Sequence, residues 1–407
     1  MRPAAPPGLF DPARHTQLTQ ARWDEQAARA AIDRIVGDSL ASFTPEGLWP
    51  AHALDEPAAP DARYSMLYVG AGGVIWALRQ LARLGLADPA STGFESTIAT
   101  LVARNRAVGE THHGTASFLM GDSGLLLLQW MAGREARVAD RLFDTVEGNL
   151  RHPARESLWG SPGSLLAAIH MARASGEGRW AELFQRGVLI LLEEMEYDET
   201  LAAWVWRQDL YGRTRCFIGA GHGFAGNVYP VLLGAEMLPA GLVNTFVERS
   251  LHTLDALALR ADACANWHAV ADPVANAGRL ALTQDCHGAP GIAVRLASAP
   301  RTAQWDALLA EAAELTWRAG PLAKGPGLCH GTAGNGYALL KLWTRTADPI
   351  WLDRARRFAM HAIEQVEDAR LAHGQGRHSL WTGDVGVALY LAGCIAGDSA
   401  FPTLDVF

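Results

Sequence analysis

The feature that most constrains this chain is an internal repeat. A short Gly-x-x-Gly element followed by an Ala/Leu-rich run occurs as Gly70–Gly73, Gly121–Gly124, Gly160–Gly163, Gly223–Gly226, Gly288–Gly291, Gly331–Gly334 and Gly383–Gly386. One such element would be a plain turn. Seven, roughly fifty residues apart and in similar context, are the signature of an array of like structural units.

The runs after the glycines, such as Val74–Leu78, Leu125–Gln129, Leu165–Ile169 and Tyr337–Leu342, have the length and composition of buried helices. Between them lie Trp23–Gly37, Phe246–Leu259, Ala303–Arg318 and Ile350–Val366, with apolar residues at three- and four-residue steps and charge on the other face. Each repeat therefore reads as a helix pair that must bury its apolar side on its neighbours. An open array needs polar end caps, whereas the first and last copies are as apolar as the middle ones, so the pattern predicts ring closure. The expected fold is all-α, a single α/α toroid domain over residues 1–407 with its repeat core at about 64–395. Apolar helices form the inner ring, and the glycine loops all open at one end. Glycine suits those loops by permitting positive φ and close backbone approach.

With 407 residues, 49% of them hydrophobic, and a net charge of −8, the chain has ample core and no basic stripe for a nucleic-acid backbone. Nucleic acid is not an expected partner. Met1–Arg14 lacks the basic flank and apolar stretch of a secretory signal, and no run has the length of a transmembrane segment. A cytoplasmic protein is expected. The five cysteines, Cys216, Cys264, Cys286, Cys329 and Cys394, are odd in number and widely spread, unlike a disulfide framework. By default each packs as a small hydrophobe.

Three copies carry reactive residues before their first glycine: His222, Cys286-His287 and Cys329-His330. Equivalent positions of adjacent copies converge at one end of a toroid, so Cys286, Cys329 and His330 can meet. Two thiolates and an imidazole are a sound Zn²⁺ set that leaves a fourth tetrahedral position open. Each pair also precedes a predicted helix, whose N-terminal dipole favours thiolate. A two-thiolate zinc is formally neutral and a weak activator of water. It is better matched to a thiol, whose free pKa of about 8.5 falls on metal binding. A nucleophilic sulfur then needs an electrophilic carbon.

The strings Gly221-His-Gly-Phe-Ala-Gly226, Cys286-His-Gly-Ala-Pro-Gly291 and Gly327-Leu-Cys-His-Gly-Thr-Ala-Gly-Asn335 resemble the lanthionine synthetase C-like (LanC-like) family, and the glycine series extends the likeness from about residue 64 to 392. The resemblance implies the α/α toroid, Zn²⁺ on Cys286, Cys329 and His330, and thioether chemistry. It makes His222 the acid/base that protonates the enolate after sulfur adds to dehydroalanine or dehydrobutyrine. A hydrogen-bonded core histidine is the alternative. Glu156 stands where the family carries an acidic residue facing the site, with a surface ion pair to Arg155 as the alternative. Lys324 matches a lysine of the eukaryotic-type branch that would pair with phosphate or carboxylate, or is a solvated loop lysine.

The chain departs from the family pattern at Asp285, where tryptophan is usual, which removes an apolar wall and brings a carboxylate towards the metal. His287 follows the eukaryotic-type pattern. His112, His113, His373 and His378 read as solvated loop residues, the tryptophans as packing, and Asp122 and Asp384 as helix caps. Three functions follow, in order. The first is zinc-dependent thioether ring formation in a precursor peptide dehydrated by a separate dehydratase. The second is addition of glutathione to dehydroamino acids in proteins. The third is a non-catalytic binding or regulatory toroid, or a carbohydrate-acting one, against which the Cys₂His set argues because glycosidases need paired carboxylates.

Overall fold

The computed structural model describes residues 8–55, 62–108 and 114–407. In chain order its helices are α1 (Glu25–Ala41), α2 (Ala71–Arg83), α3 (Glu95–Val108), α4 (Asp122–Gly133), α5 (Ala136–Gly148), α6 (Ser161–Ser175), α7 (Gly178–Glu193) and α8 (Phe224–Leu233). They continue with α9 (Ala240–Leu257), the single-turn α10 (Pro273–Asn276), α11 (Ala289–Leu296), α12 (Ala303–Ala319), α13 (Thr332–Thr346), α14 (Pro349–His373) and α15 (Asp384–Ala396). Every predicted inner run lies in a helix, and so does every amphipathic stretch for most of its length. Among the described residues no helix is long and apolar enough to cross a membrane.

The repeat sets where the inner helices begin. The first glycine of each copy, Gly70, Gly121, Gly160, Gly223, Gly288, Gly331 and Gly383, is the N-cap of α2, α4, α6, α8, α11, α13 and α15 respectively. None supplies a side-chain cap. Carbonyls of the preceding loop take the first helical N–H groups instead, as in Phe224 N–H to Phe217 O at 3.0 Å, Ala225 to Ile218 at 3.1 Å and Ala333 to Pro326 at 2.9 Å. A loop folded that tightly against the helix leaves no room for a side chain. A Cβ on Gly226 would stand 2.3 Å from the Ala220 carbonyl oxygen, and one on Gly291 1.7 Å from that of Asp285. The expectation of positive φ holds only at Gly288, at +108°. At Gly70, Gly160, Gly223, Gly331 and Gly383 close approach is the constraint.

The chain divides into two compact units. The first is built mainly of Leu142–Ala319, and the second of Arg14–Thr115, Leu119–Arg141 and Gly320–Phe407. Within the first, α6 packs on α8 and α8 on α11, with α7 and α12 outside α6 and α11. Within the second, α13 packs on α15, α15 on α2 and α2 on α4, so the seventh copy lies beside the first. The inner helices are buried on all sides: every residue of α6 from Ser161 to Met171 is buried, and of α15 from Asp384 to Ala392. The outer α12 buries one face, through Trp305, Leu308, Leu309, Ala312 and Ala313. Trp76, Trp159, Trp206 and Trp381 are buried as packing residues, and so are Cys264 and Cys394.

Three short antiparallel hairpins interrupt the helical pattern: β1 (Glu196–Asp198) with β2 (Ala203–Val205), β3 (Gln208–Leu210) with β4 (Arg213–Arg215), and β5 (Leu259–Ala261) with β6 (Cys264–Asn266). They fill the wider gaps that flank the fourth copy. The loops before the inner helices are also tied to each other. At the position two residues before the first glycine, Cys329 N–H donates to Trp381 O (2.8 Å), Trp381 N–H to Tyr68 O (3.0 Å) and Tyr68 N–H to Leu119 O (3.0 Å) in the second unit. Gly221 N–H donates to Cys286 O (2.9 Å) in the first. In each pair the donor belongs to one copy and the acceptor to the next.

Candidate active site

In the first unit three loops converge, those before α6, α8 and α11. Ser157 Oγ donates to the carbonyls of Ala220 and Gly221, both at 2.8 Å, and joins the first loop to the second. The Gly221–Cys286 bond joins the second to the third. His222 projects from the middle loop, and its Nδ1 lies 2.8 Å from Glu156 Oε2. Glu156 is fully buried, and its carboxylate also accepts the backbone N–H groups of Leu158 (3.0 Å) and Trp159. It is no partner of Arg155, which pairs with Glu194. Burial pushes the His222 pKa down, but the hydrogen bond and charge of Glu156, with the charge of Cys286, outweigh it and leave the value raised. The imidazole rings of His222 and His287 are 5.6 Å apart, and Tyr211 sets its ring edge-on to His222 at 5.8 Å. Burial lowers the His287 pKa.

Cys286 is half-buried in the loop before α11. The carboxylate of its neighbour Asp285 is engaged rather than free. Both oxygens are taken by the Arg295 guanidinium of α11, at 3.0 and 2.8 Å, in a pair 1% and 4% exposed. Burial lifts the Asp285 pKa to about 6 despite the opposing pull of Arg295. Gln284, which the sequence reading passed over, donates its side-chain amide to Cys286 Sγ at 3.0 Å. Its only sequence signal is its place two residues before the cysteine.

In the second unit Cys329 is buried, and its loop hangs from the backbone of the next copy. Trp381 O accepts from Leu328 (2.9 Å) as well as Cys329. A Cβ on Gly327 would meet Thr382 O at 2.6 Å, so glycine is what lets the two loops touch. Lys324 is exposed and lines a cleft of about 350 Å³ with Thr16, His52, His361, Arg370 and Arg377.

The two residues read as caps act otherwise. Asp122 is buried against Arg106, and Asp384 accepts the Arg377 N–H at 2.9 Å. Burial raises the Asp384 pKa to about 7 against the opposing hydrogen bond and charge of Arg377. His378, expected to be solvated, is buried with Nε2 3.9 Å from Asp38. His112 and His113 lie outside the described residues.

The ligand atoms of Cys286, Cys329 and His330 all lie within 4.8 Å of one another, which makes these three side chains a group that could hold a metal ion. A tetrahedral zinc bound through sulfur at about 2.3 Å and nitrogen at about 2.0 Å has ligand–ligand edges of roughly 3.5–3.8 Å. Two thiols with an imidazole are chemically suited to zinc.

The family model described as lanthionine synthetase C-like protein matches residues 51–406. A glutathione S-transferase LANCL1 of Danio rerio is 26% identical over 318 residues, 72% of each chain. The LanC-like protein GCL1 of Arabidopsis thaliana is 35% identical over 133 residues, 31% of this chain and 30% of its own. Among solved structures, nisin cyclase superposes with a TM-score of 0.63 at 16% identity, over 89% of this chain and 93% of the other. That similarity shows the all-α, α/α-toroid fold. With a family match across nearly the whole length and the fold to accompany it, the chain belongs to the lanthionine synthetase C-like family.

Proposed function

We propose that residues 1–407 work as one cytoplasmic LanC-like domain that adds a thiol to dehydroalanine or dehydrobutyrine, with Cys286, Cys329 and His330 as zinc ligands. The observation that carries this reading is the thiol–thiol–imidazole cluster. When bound, zinc would take an incoming thiol in its deprotonated form and keep that sulfur nucleophilic at neutral pH. His222 then serves as the acid/base. Glu156 holds Nδ1, which fixes the ring and leaves Nε2 to deliver the proton to the α-carbon of the enolate. The donors are thiols and an imidazole, not the carboxylate pair of a glycosidase.

The first reading of the thiol source is a cysteine of the same dehydrated peptide, which gives a thioether ring and calls for a separate dehydratase. A second reading is glutathione adding to a dehydrated protein; the cleft at Lys324 has Arg370 and His361 on its lining together with Glu364, Asp368 and Asp384, so the amine and carboxylates of glutathione would each meet a group of opposite charge there. The Danio rerio relative, named a glutathione S-transferase, supports it.

The test is elemental analysis of the purified protein, followed by assays on dehydroalanine peptides with an internal cysteine or with added glutathione. One zinc per chain, lost in Cys329→Ala, is expected, because removing one of three ligands leaves a poor site. Full metal content in that variant refutes the ligand set. His222→Ala should retain zinc and slow addition by roughly 10² or more; an unchanged rate would leave His222 a structural residue.

A further inference from the structure

Cys286 and Cys329 occupy equivalent repeat positions, yet their sulfurs are sheltered differently. Cys329 is only 7% exposed, whereas Cys286 is half-buried and has the Gln284 amide on its sulfur at 3.0 Å. Gln284 is itself 7% exposed, and its backbone is fixed by reciprocal bonds with His287, N–H to O at 3.1 and 3.2 Å. The amide is therefore aimed at the sulfur by a rigid turn. Hydrogen bonds to an ionised acceptor are roughly twice as strong as neutral ones, and they draw charge from it. A sulfur so treated is a weaker nucleophile and a weaker electron donor to a metal.

Under the zinc reading of the proposed function, on which this inference rests, a site that keeps an incoming sulfur reactive also holds two ligand sulfurs of the same chemistry near an electrophilic alkene. Cys286, the more accessible, could add to that alkene itself. Its sulfur would form a C–S bond to the β-carbon, the π pair would move to the α-carbon, and that carbon would take a proton from solvent. The product is an enzyme alkylated on its own ligand. We propose that Gln284 is a positioning residue that prevents this: its N–H···S bond damps Cys286, the more exposed of the two sulfurs. Discrimination between substrate sulfur and ligand sulfur is thus built into one amide.

The experiment compares the wild type with Gln284→Met and Gln284→Leu, which remove the donor and keep the bulk. Zinc content is measured first. The zinc-loaded proteins are then treated with N-acetyldehydroalanine methyl ester, and the adducts are mapped by peptide mass spectrometry. Cys286 should be alkylated on the order of tenfold faster in both variants, with Cys329 unchanged. In the cobalt-substituted variants the sulfur-to-metal charge-transfer band should move to lower energy, a shift that a purely structural role for Gln284 would not produce. Equal Cys286 labelling with zinc retained overturns the proposal alone. Loss of zinc from both variants also overturns it, because Gln284 would then be an anchor of the loop. A wild type without zinc removes the metal reading and this inference together.

Discussion

The loops that present Cys286 and Cys329 begin from the same repeat position and are held by different means. Around Cys329 the support is backbone: two N–H groups on one Trp381 carbonyl, and a glycine pressed against Thr382. Around Cys286 the backbone bond to Gly221 is joined by side chains, the buried Asp285–Arg295 pair and the Gln284 amide. A loop held through main-chain atoms tolerates substitution of its neighbours, whereas one held by a buried ion pair depends on two particular residues. The comparison can be broken experimentally.

Arg295→Met should have the largest effect. It leaves the Asp285 carboxylate buried without its partner, which typically costs about 3–5 kcal/mol. The variant should unfold at clearly lower denaturant and bind zinc weakly; wild-type behaviour in both would show that the ion pair does not support the Cys286 loop. Gly291→Ala follows, because its Cβ would lie 1.7 Å from the Asp285 carbonyl oxygen. Overpacking of this kind costs about 1–3 kcal/mol, and the displaced carbonyl belongs to the residue before Cys286. Retained stability and zinc affinity would mean that the loop yields more easily than its contacts indicate.

The smallest effect sharpens the contrast between buried carboxylates. Asp285 and Asp384 are both raised above their ordinary value, to about 6 and about 7, but Asp384 has a backbone N–H where Asp285 has a bidentate guanidinium. A carboxyl whose folded pKa lies above its unfolded one stabilises fully below the unfolded value, and that contribution is lost as pH rises through the folded value. For Asp384 the window runs from about 3.8 to about 7. Asp384→Asn cannot ionise, so it should flatten the fall in melting temperature across that window. Parallel curves for variant and wild type would place the pH dependence elsewhere.

Much of the fold was legible in the chain. The glycines locate the start of every inner helix, because a backbone packed against backbone has no other solution at Gly226 or Gly291. The amphipathic stretches give the outer helices for the same reason of one-sided burial. The hairpins were not legible as strands, since three-residue ladders carry too little alternation to detect. Nor was the Glu156–His222 contact, which joins residues 66 apart through a fold that brings copies three and four side by side. The partner of Asp285 was not legible either, because it lies inside α11, and a buried arginine in an apolar helix announces itself only when the structure shows what it faces.

The chain of N–H to carbonyl bonds at the position before each glycine pair has a further implication. That position is occupied by Tyr68, Leu119, Leu158, Gly221, Cys286, Cys329 and Trp381, and where the bonds are made they use only main-chain atoms. Identity there differs from copy to copy while the main-chain connectivity stays the same, with Gly221 held to glycine by the Cys286 Cβ, 2.9 Å from where its own would stand. The toroid behaves as a rack of interchangeable sockets, in which a thiol can be fitted to one copy and an indole to the next without redesigning the frame.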